Sequence, residues 1–316
     1  MEIPSQLMQH LISLLKSSSH DGLILLILTY KAVLACLMAR VHIQPRTRYT
    51  GTGSTHSRWD TNEAIIFIKD VFTRYLNVAK LHESDIIGKK ILEIGPGDNL
   101  CVALSFISAG AKSVTCIDRF YSKRDVRQQL AIYSAFRETL NAERKVLFDS
   151  ACKIQAKRVI INERLLKYVH GVSFEDFSRN TSERFDLIVS NAVLEHLYDL
   201  PKAINAMYDL LVPGGMIVHV VDLTDHKMFS PKAPLFFLTV PQRLWRVIGR
   251  ESDCPNRHRL SDYISICKKC GFVGIVYVVV TEFDRDAVAA FCKRYGLPVV
   301  ARWRASSFRL AARKPA

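Results

Sequence analysis

Residues 90–99 read Lys-Ile-Leu-Glu-Ile-Gly-Pro-Gly-Asp-Asn, an apolar run that ends in a glycine turn. Strands buried on both faces of a parallel sheet appear as short unbroken apolar runs. A glycine turn at the carboxyl end of such a strand lets backbone N–H groups and the next helix start approach a bound ligand. Glu93 stands two residues before Gly95, and Gly97 follows. A second apolar run, Ser113-Val114-Thr115-Cys116-Ile117-Asp118, ends on another acid. An α/β nucleotide site carries its ribose-binding carboxylate there, about 20 residues past the turn.

The turn departs from the dinucleotide fingerprint Gly-x-Gly-x-x-Gly, because Leu100 occupies the third glycine position. That glycine normally permits close helix–strand packing. A carboxylate at position 93 would repel a pyrophosphate and attract an ammonium group. S-adenosylmethionine carries an amino-acid ammonium, a ribose and an adenine, so it suits both acids. Taken alone, the turn also fits an ordinary βα connection with a solvated Glu93.

Two later segments fall in the order such a site requires. Residues 184–197 read Arg-Phe-Asp-Leu-Ile-Val-Ser-Asn-Ala-Val-Leu-Glu-His-Leu, a strand ending in polar residues and then a helix. Residues 210–222 read Leu-Leu-Val-Pro-Gly-Gly-Met-Ile-Val-His-Val-Val-Asp, a helix end, a turn and a strand. Together the four segments resemble the class I, Rossmann-like S-adenosylmethionine-dependent methyltransferases over residues 89–222. Asn99 stands where many members have a further glycine; asparagine tolerates unusual backbone angles better than most residues.

The resemblance implies a seven-stranded, mostly parallel α/β sheet with helices on both faces, and S-adenosylmethionine as cofactor. It implies that Glu93, Gly95 and Gly97 line the methionine end and that Asp118 accepts from the ribose hydroxyls. Arg119 or Phe120 would lie near the adenine, Glu175 and Asp176 would match the loop that reaches its amino group, and Asn191 would lie close to the sulfonium. Methyl transfer is an in-line displacement on an activated donor, so the protein mainly aligns the acceptor and excludes water. A hydroxyl acceptor also needs a base. His196 is the first candidate, with a structural histidine at a helix start as the competing reading; Asp222 and His226 follow, and His219, inside a strand, reads as a packing residue.

With 316 residues and 49% hydrophobic content the chain can bury a full core. Eight cysteines are scattered, several inside apolar runs, as expected of reduced thiols in a cytosol-facing domain. No metal site is expected: Cys267-Lys268-Lys269-Cys270 lacks a second pair and reads as a helix end before Gly271. The net charge is +14, and residues 223–316 carry 17 Lys and Arg against 7 Asp and Glu. Such a surface suits nucleic acid, anionic headgroups or an acidic substrate.

Residues 1–56 read as a helical extension and 57–316 as the methyltransferase domain, with a helical insertion over 119–166 and a substrate lid over 223–260. Residues 23–39 are apolar except for Thr29, Tyr30 and Lys31, followed by Arg40, Arg46 and Arg48. A helix packed on protein, an interfacial membrane helix and a span all remain open; a span would leave the domain on the cytoplasmic side. Strands are expected over 90–95, 113–118, 168–172, 185–191, 216–222, 272–280 and 308–312. Helices are expected over 63–76, with Ile65, Ile66, Ile68, Phe72 and Leu76 inward, and over 261–270, with Ser261 as N-cap. The leading expectation is a cytoplasmic or membrane-surface methyltransferase with a small-molecule, sugar- or lipid-linked acceptor. An RNA methyltransferase and a non-catalytic binding protein of the same fold are the alternatives.

Overall fold

The computed structural model describes residues 56, 59–122, 124–155, 158–197, 199–226, 235–240, 242, 245, 255–296 and 303–316. The apolar stretch 23–39 and Phe229 of the expected lid lie outside them. Among the described residues no helix is long and apolar enough to cross a membrane.

One compact unit contains the described residues of Arg46–Asp222, His258–Glu282 and Ala305–Ala316. It holds a seven-stranded sheet of β1 (Lys90–Ile94), β2 (Ser113–Asp118), β5 (Leu166–His170), β6 (Phe185–Asn191), β7 (Leu211–Asp222), β8 (Val273–Glu282) and β9 (Ala305–Arg313). The order across the sheet is β5-β2-β1-β6-β7-β9-β8. The first five strands pair in parallel, and β9 runs antiparallel to β7 and β8. The chain leaves β1 toward β2 and returns to its other side as β6. Ligands of open α/β sheets bind at such a switch point, outside the carboxyl ends of the strands.

Helix α1 (Thr61–Ala79) opens with a reciprocal cap, in which Asp60 accepts from Asn62 and Glu63 N–H groups while the Glu63 carboxylate accepts from Asp60 N–H. Ile65, Ile68, Phe72 and Leu76 are buried as the spacing requires, whereas Ile66 is 68% exposed on the outer face. Helix α2 (Cys101–Ser108) is buried along its whole length, and Ser105 and Ser108 satisfy their hydroxyls on carbonyls one turn back. These helices share a core with Ile91, Val114, Leu187 and Val218 of the strands. Strand residues alternate faces, so Leu92, Ile188 and Ile217 serve the opposite side. There α5 (Phe174–Asn180) packs on α6 (Leu200–Leu210), and α6 on α7 (Leu260–Lys269).

Several expectations are corrected, among them β7, which begins at Leu211 rather than 216 and takes in the Pro-Gly-Gly segment, and β9, which spans Ala305–Arg313 rather than 308–312. The insertion forms α3 (Val126–Glu138) and α4 (Ala142–Ala151), but also a hairpin of β3 (Cys152–Gln155) and β4 (Arg158–Ile161). Four-residue strands are too short to show a period. Strand β5 begins two residues earlier than expected and ends before the positive-φ Gly171. The N-cap of α7 is Arg259 rather than Ser261, because the Asp262 carboxylate accepts the Arg259 N–H at 2.8 Å. The Leu-Glu-His segment is a 3-10 turn (Leu194–His196), and helix α6 starts only after Asp199.

Cys270 caps α7 and Gly271 follows at φ +92°, so the Cys-Lys-Lys-Cys run is a helix end. All six cysteines among the described residues are unpaired. The second unit contains described residues of Leu223–Arg257 and Phe283–Arg304. Its core gathers Leu235 with Val288, Phe291 and Cys292 of α8 (Arg285–Arg294). Phe236, Phe237 and Trp245 are also buried, and the Arg257 guanidinium lies 5.7 Å from the Trp245 ring centre.

Candidate active site

The glycine turn leaves β1 with Gly95 and Gly97 at φ +72° and +71°. Gly95 N–H donates to Ile117 O at 2.8 Å, which locks the turn against the end of β2. A Cβ at Gly95 would stand 2.5 Å from Val193 Cγ2. Asn99 closes the turn by accepting the Cys101 N–H at 2.8 Å. Leu100 is buried at the start of α2, so the helix rests on a core side chain where a dinucleotide fold uses glycine.

Glu93 and Asp118 lie on neighbouring strands, Glu93 in register with Cys116. Glu93 is 4% exposed, and Cys116 Sγ donates to its Oε2 at 3.4 Å. Burial pushes its carboxyl up to about 7, opposed by that hydrogen bond and by the Arg124 guanidinium. Asp118 accepts the Phe120 N–H at 3.2 Å. Its carboxyl is pushed up to about 6, again chiefly by burial, with the Phe120 N–H and Arg124 opposing. Both acids are desolvated on the same face of the sheet and have no ion-pair partner among the described residues.

Of the remaining expected residues, Asn191 ends β6 and is half-buried beside Val220. Ala192 follows it in the left-handed region at φ +53°. Arg119 is exposed with its guanidinium 5.2 Å from the Phe120 ring centre. Glu175 and Asp176 occupy the first turn of α5, and the Asp176 carboxylate is engaged by Ser173 and Arg179. His196 ends the 3-10 turn and Asp222 ends β7. His226, an exposed residue of the second unit at φ +51°, donates its N–H to Thr224 Oγ1 at 3.4 Å. His219 packs as expected: it is fully buried, bonded to Ser190 Oγ at 2.8 Å, and held down to about 3 by desolvation.

Three contributors are absent from the sequence expectations. Arg124 stacks 3.9 Å from the Tyr168 ring centre and donates to Gly97 O at 3.3 Å. Glu195, 1% exposed, accepts the Asp222 N–H at 3.3 Å and so ties the turn carrying His196 to the mouth of β7. Its carboxyl is pushed well above the usual range by burial, with Asp222 adding to the rise. His56, the last residue of the expected extension, bonds Asp98 of the glycine turn.

Residues 68–277 match the methyltransferase domain family. The chain belongs to this family. No curated protein matches the chain. Among solved structures, Haemonchus contortus phosphoethanolamine N-methyltransferase 2 in complex with S-adenosyl-L-methionine is 16% identical at a TM-score of 0.46, over 84% of this chain and 59% of that one. The chain therefore spans less than two thirds of that relative's length. N-methyltransferase NodS from Bradyrhizobium japonicum WM9 is 17% identical at a TM-score of 0.39, over 79% and 98%. The family match covers β1, the glycine turn, β2, β6, the Leu-Glu-His turn and β7, and with them Glu93, Gly95, Gly97, Asp118, Asn191, His196 and Asp222, whereas His56 lies outside it.

Proposed function

We propose that this methyltransferase moves a methyl group from S-adenosylmethionine to a small-molecule, sugar- or lipid-linked acceptor. The observation that carries the reading is Glu93, an acid buried beside a positive-φ glycine turn with no cation bonded to it among the described residues. A buried carboxylate without a counter-charge is costly, and the ammonium of the cofactor's amino-acid end supplies one. Asp118, at the end of the adjacent strand, suits the ribose hydroxyls. The cofactor brings a methyl group already activated on a sulfonium. The protein's share is therefore alignment and exclusion of water.

The turn and Glu93 hold the amino-acid end, Asp118 holds the ribose, and Asn191 at the end of β6 borders the transfer position. His196 Nε2 or Nδ1 takes the acceptor proton where the acceptor is a hydroxyl. Glu195 keeps that turn against Asp222.

Calorimetry on the full chain tests the reading. Micromolar binding of S-adenosylmethionine and S-adenosylhomocysteine is expected, and none of NAD. Asp118→Ala removes the acceptor of two hydroxyls and is expected to weaken binding about 100-fold or more. Unaltered affinity would sink the assignment. Because the Asp118 carboxyl sits at about 6, affinity should fall as pH drops through that value and the acceptor is protonated. His196→Ala is expected to lower turnover about 100-fold while sparing cofactor affinity. Equal loss of both would make His196 a structural residue.

A further inference from the structure

His56 is fixed by three bonds, two of them to the glycine turn. Its Nδ1 lies 2.7 Å from Asp98 Oδ1, and its backbone N–H donates to the same oxygen at 3.4 Å. The Gln128 side-chain amide donates to its carbonyl. Trp59 and Phe67 meet the ring edge-on, with centroids 5.8 and 5.6 Å away. His56 and Asp98 are 5% and 6% exposed. The ring's other nitrogen, Nε2, is buried and has no hydrogen-bond partner among the described residues.

A buried polar atom without a partner costs free energy, and native proteins leave few of them. Two aromatic edges cannot satisfy it. The ring's other contacts hold it in place, so Nε2 is a preset group whose partner the described residues do not provide. Asp98 directly follows Gly97, whose carbonyl Arg124 bonds at 3.3 Å. The pair thus borders the part of the turn that the cofactor reading gives to the amino-acid end.

We infer that His56, oriented by Asp98, hydrogen-bonds the α-amino-acid group of the cofactor through Nε2. The inference rests on the cofactor reading above. An α-amino-acid group presents a carboxylate acceptor and an ammonium donor side by side, and Nε2 serves as donor or acceptor according to where the ring proton lies. His56 is accordingly a cofactor-binding residue that selects ligands carrying the amino-acid end.

The test compares two ligands on the full chain by calorimetry: S-adenosylhomocysteine, and 5′-methylthioadenosine, which keeps the adenosine and thioether but lacks the amino-acid end. The variant is His56→Asn, whose amide reaches Asp98 from about the Nδ1 position and leaves nothing at Nε2. His56→Asn is expected to bind S-adenosylhomocysteine about 10- to 100-fold more weakly. Its affinity for 5′-methylthioadenosine should not change. Unchanged S-adenosylhomocysteine affinity, or equal loss for both ligands, overturns the inference. If His56→Asn does not fold, His56→Ala is read for the same ratio, and failure of both to fold makes the pair structural and overturns it. Binding of neither ligand by the unaltered chain would overturn the cofactor reading, and this inference with it.

Discussion

Replacing Glu93 by Gln is expected to stabilise the ligand-free chain at pH 8 while weakening cofactor binding. The Glu93 carboxyl sits at about 7 in the folded chain, against an ordinary value of 4.5. Between those values the folded state holds the proton more tightly than the unfolded state does. Unfolding then releases a proton, and stability falls as pH rises through the window. By pH 8 the accumulated penalty is on the order of 3 kcal/mol, at about 1.4 kcal/mol per unit. A neutral amide of the same shape removes it. Urea unfolding at pH 4 and pH 8 separates the effect: variant and parent should match closely at pH 4 and diverge at pH 8 in the variant's favour. If Glu93 holds the cofactor's ammonium as proposed, the same change removes the counter-charge, and S-adenosylhomocysteine affinity at pH 8 should drop about tenfold or more. In the unaltered chain, binding should release protons near pH 7, seen as a dependence of the calorimetric heat on buffer ionisation enthalpy. A variant no more stable than the parent at pH 8 would mean that Glu93 is not desolvated as described.

The second large effect is steric. Gly95→Ala must place a methyl group 2.5 Å from Val193 Cγ2 while the backbone holds φ +72°. The left-handed conformation alone costs an L residue about 1–2 kcal/mol. Forcing a methyl into a filled site adds about 1–3 kcal/mol. Gly214 supplies the control, since it has φ +76° and nothing within 4 Å of its would-be Cβ. Gly214→Ala should therefore show only the conformational part. Urea midpoints should place Gly95→Ala well below Gly214→Ala, and Val193→Ala introduced alongside should recover part of the difference through their coupling. Equal losses at the two glycines would show that no close approach exists at the turn. The prediction matters for function because Val193 lies in the segment joining Asn191 to the His196 turn, so the glycine sets how closely that segment approaches the turn after β1.

How much of this was legible beforehand depended on whether the cause was local. β2 and β6 match their expected limits because strands covered on both faces are continuous apolar runs bounded by polar residues. The helix expected over 63–76 runs over Thr61–Ala79, because its start is set by the Asp60 cap and not by the apolar spacing. Misplacements occurred where a local signal was weak or overridden. Ser261 is a good cap by type, yet the Asp262 carboxylate reaches Arg259 instead and moves the start of the helix. The hairpin of β3 and β4 offers too few residues to display alternation.

The sequence by itself identified the glycine turn, the two acids and the limits of β2 and β6, because each is set within one strand or one turn, while the seven-stranded sheet and the family followed from the resemblance of four such segments taken together. The tertiary structure alone decided which distant side chains meet beside the strand ends. His56 meets Asp98 across 42 residues, Glu195 meets Asp222 across 27, and Arg124 reaches Gly97 across 27. No periodicity or cap links positions so far apart. Their proximity follows from the parallel crossovers that bring separate strand ends to one edge of the sheet. The same burial raises the Glu93 and Asp118 carboxyls, a property that neither acid has in the unfolded chain.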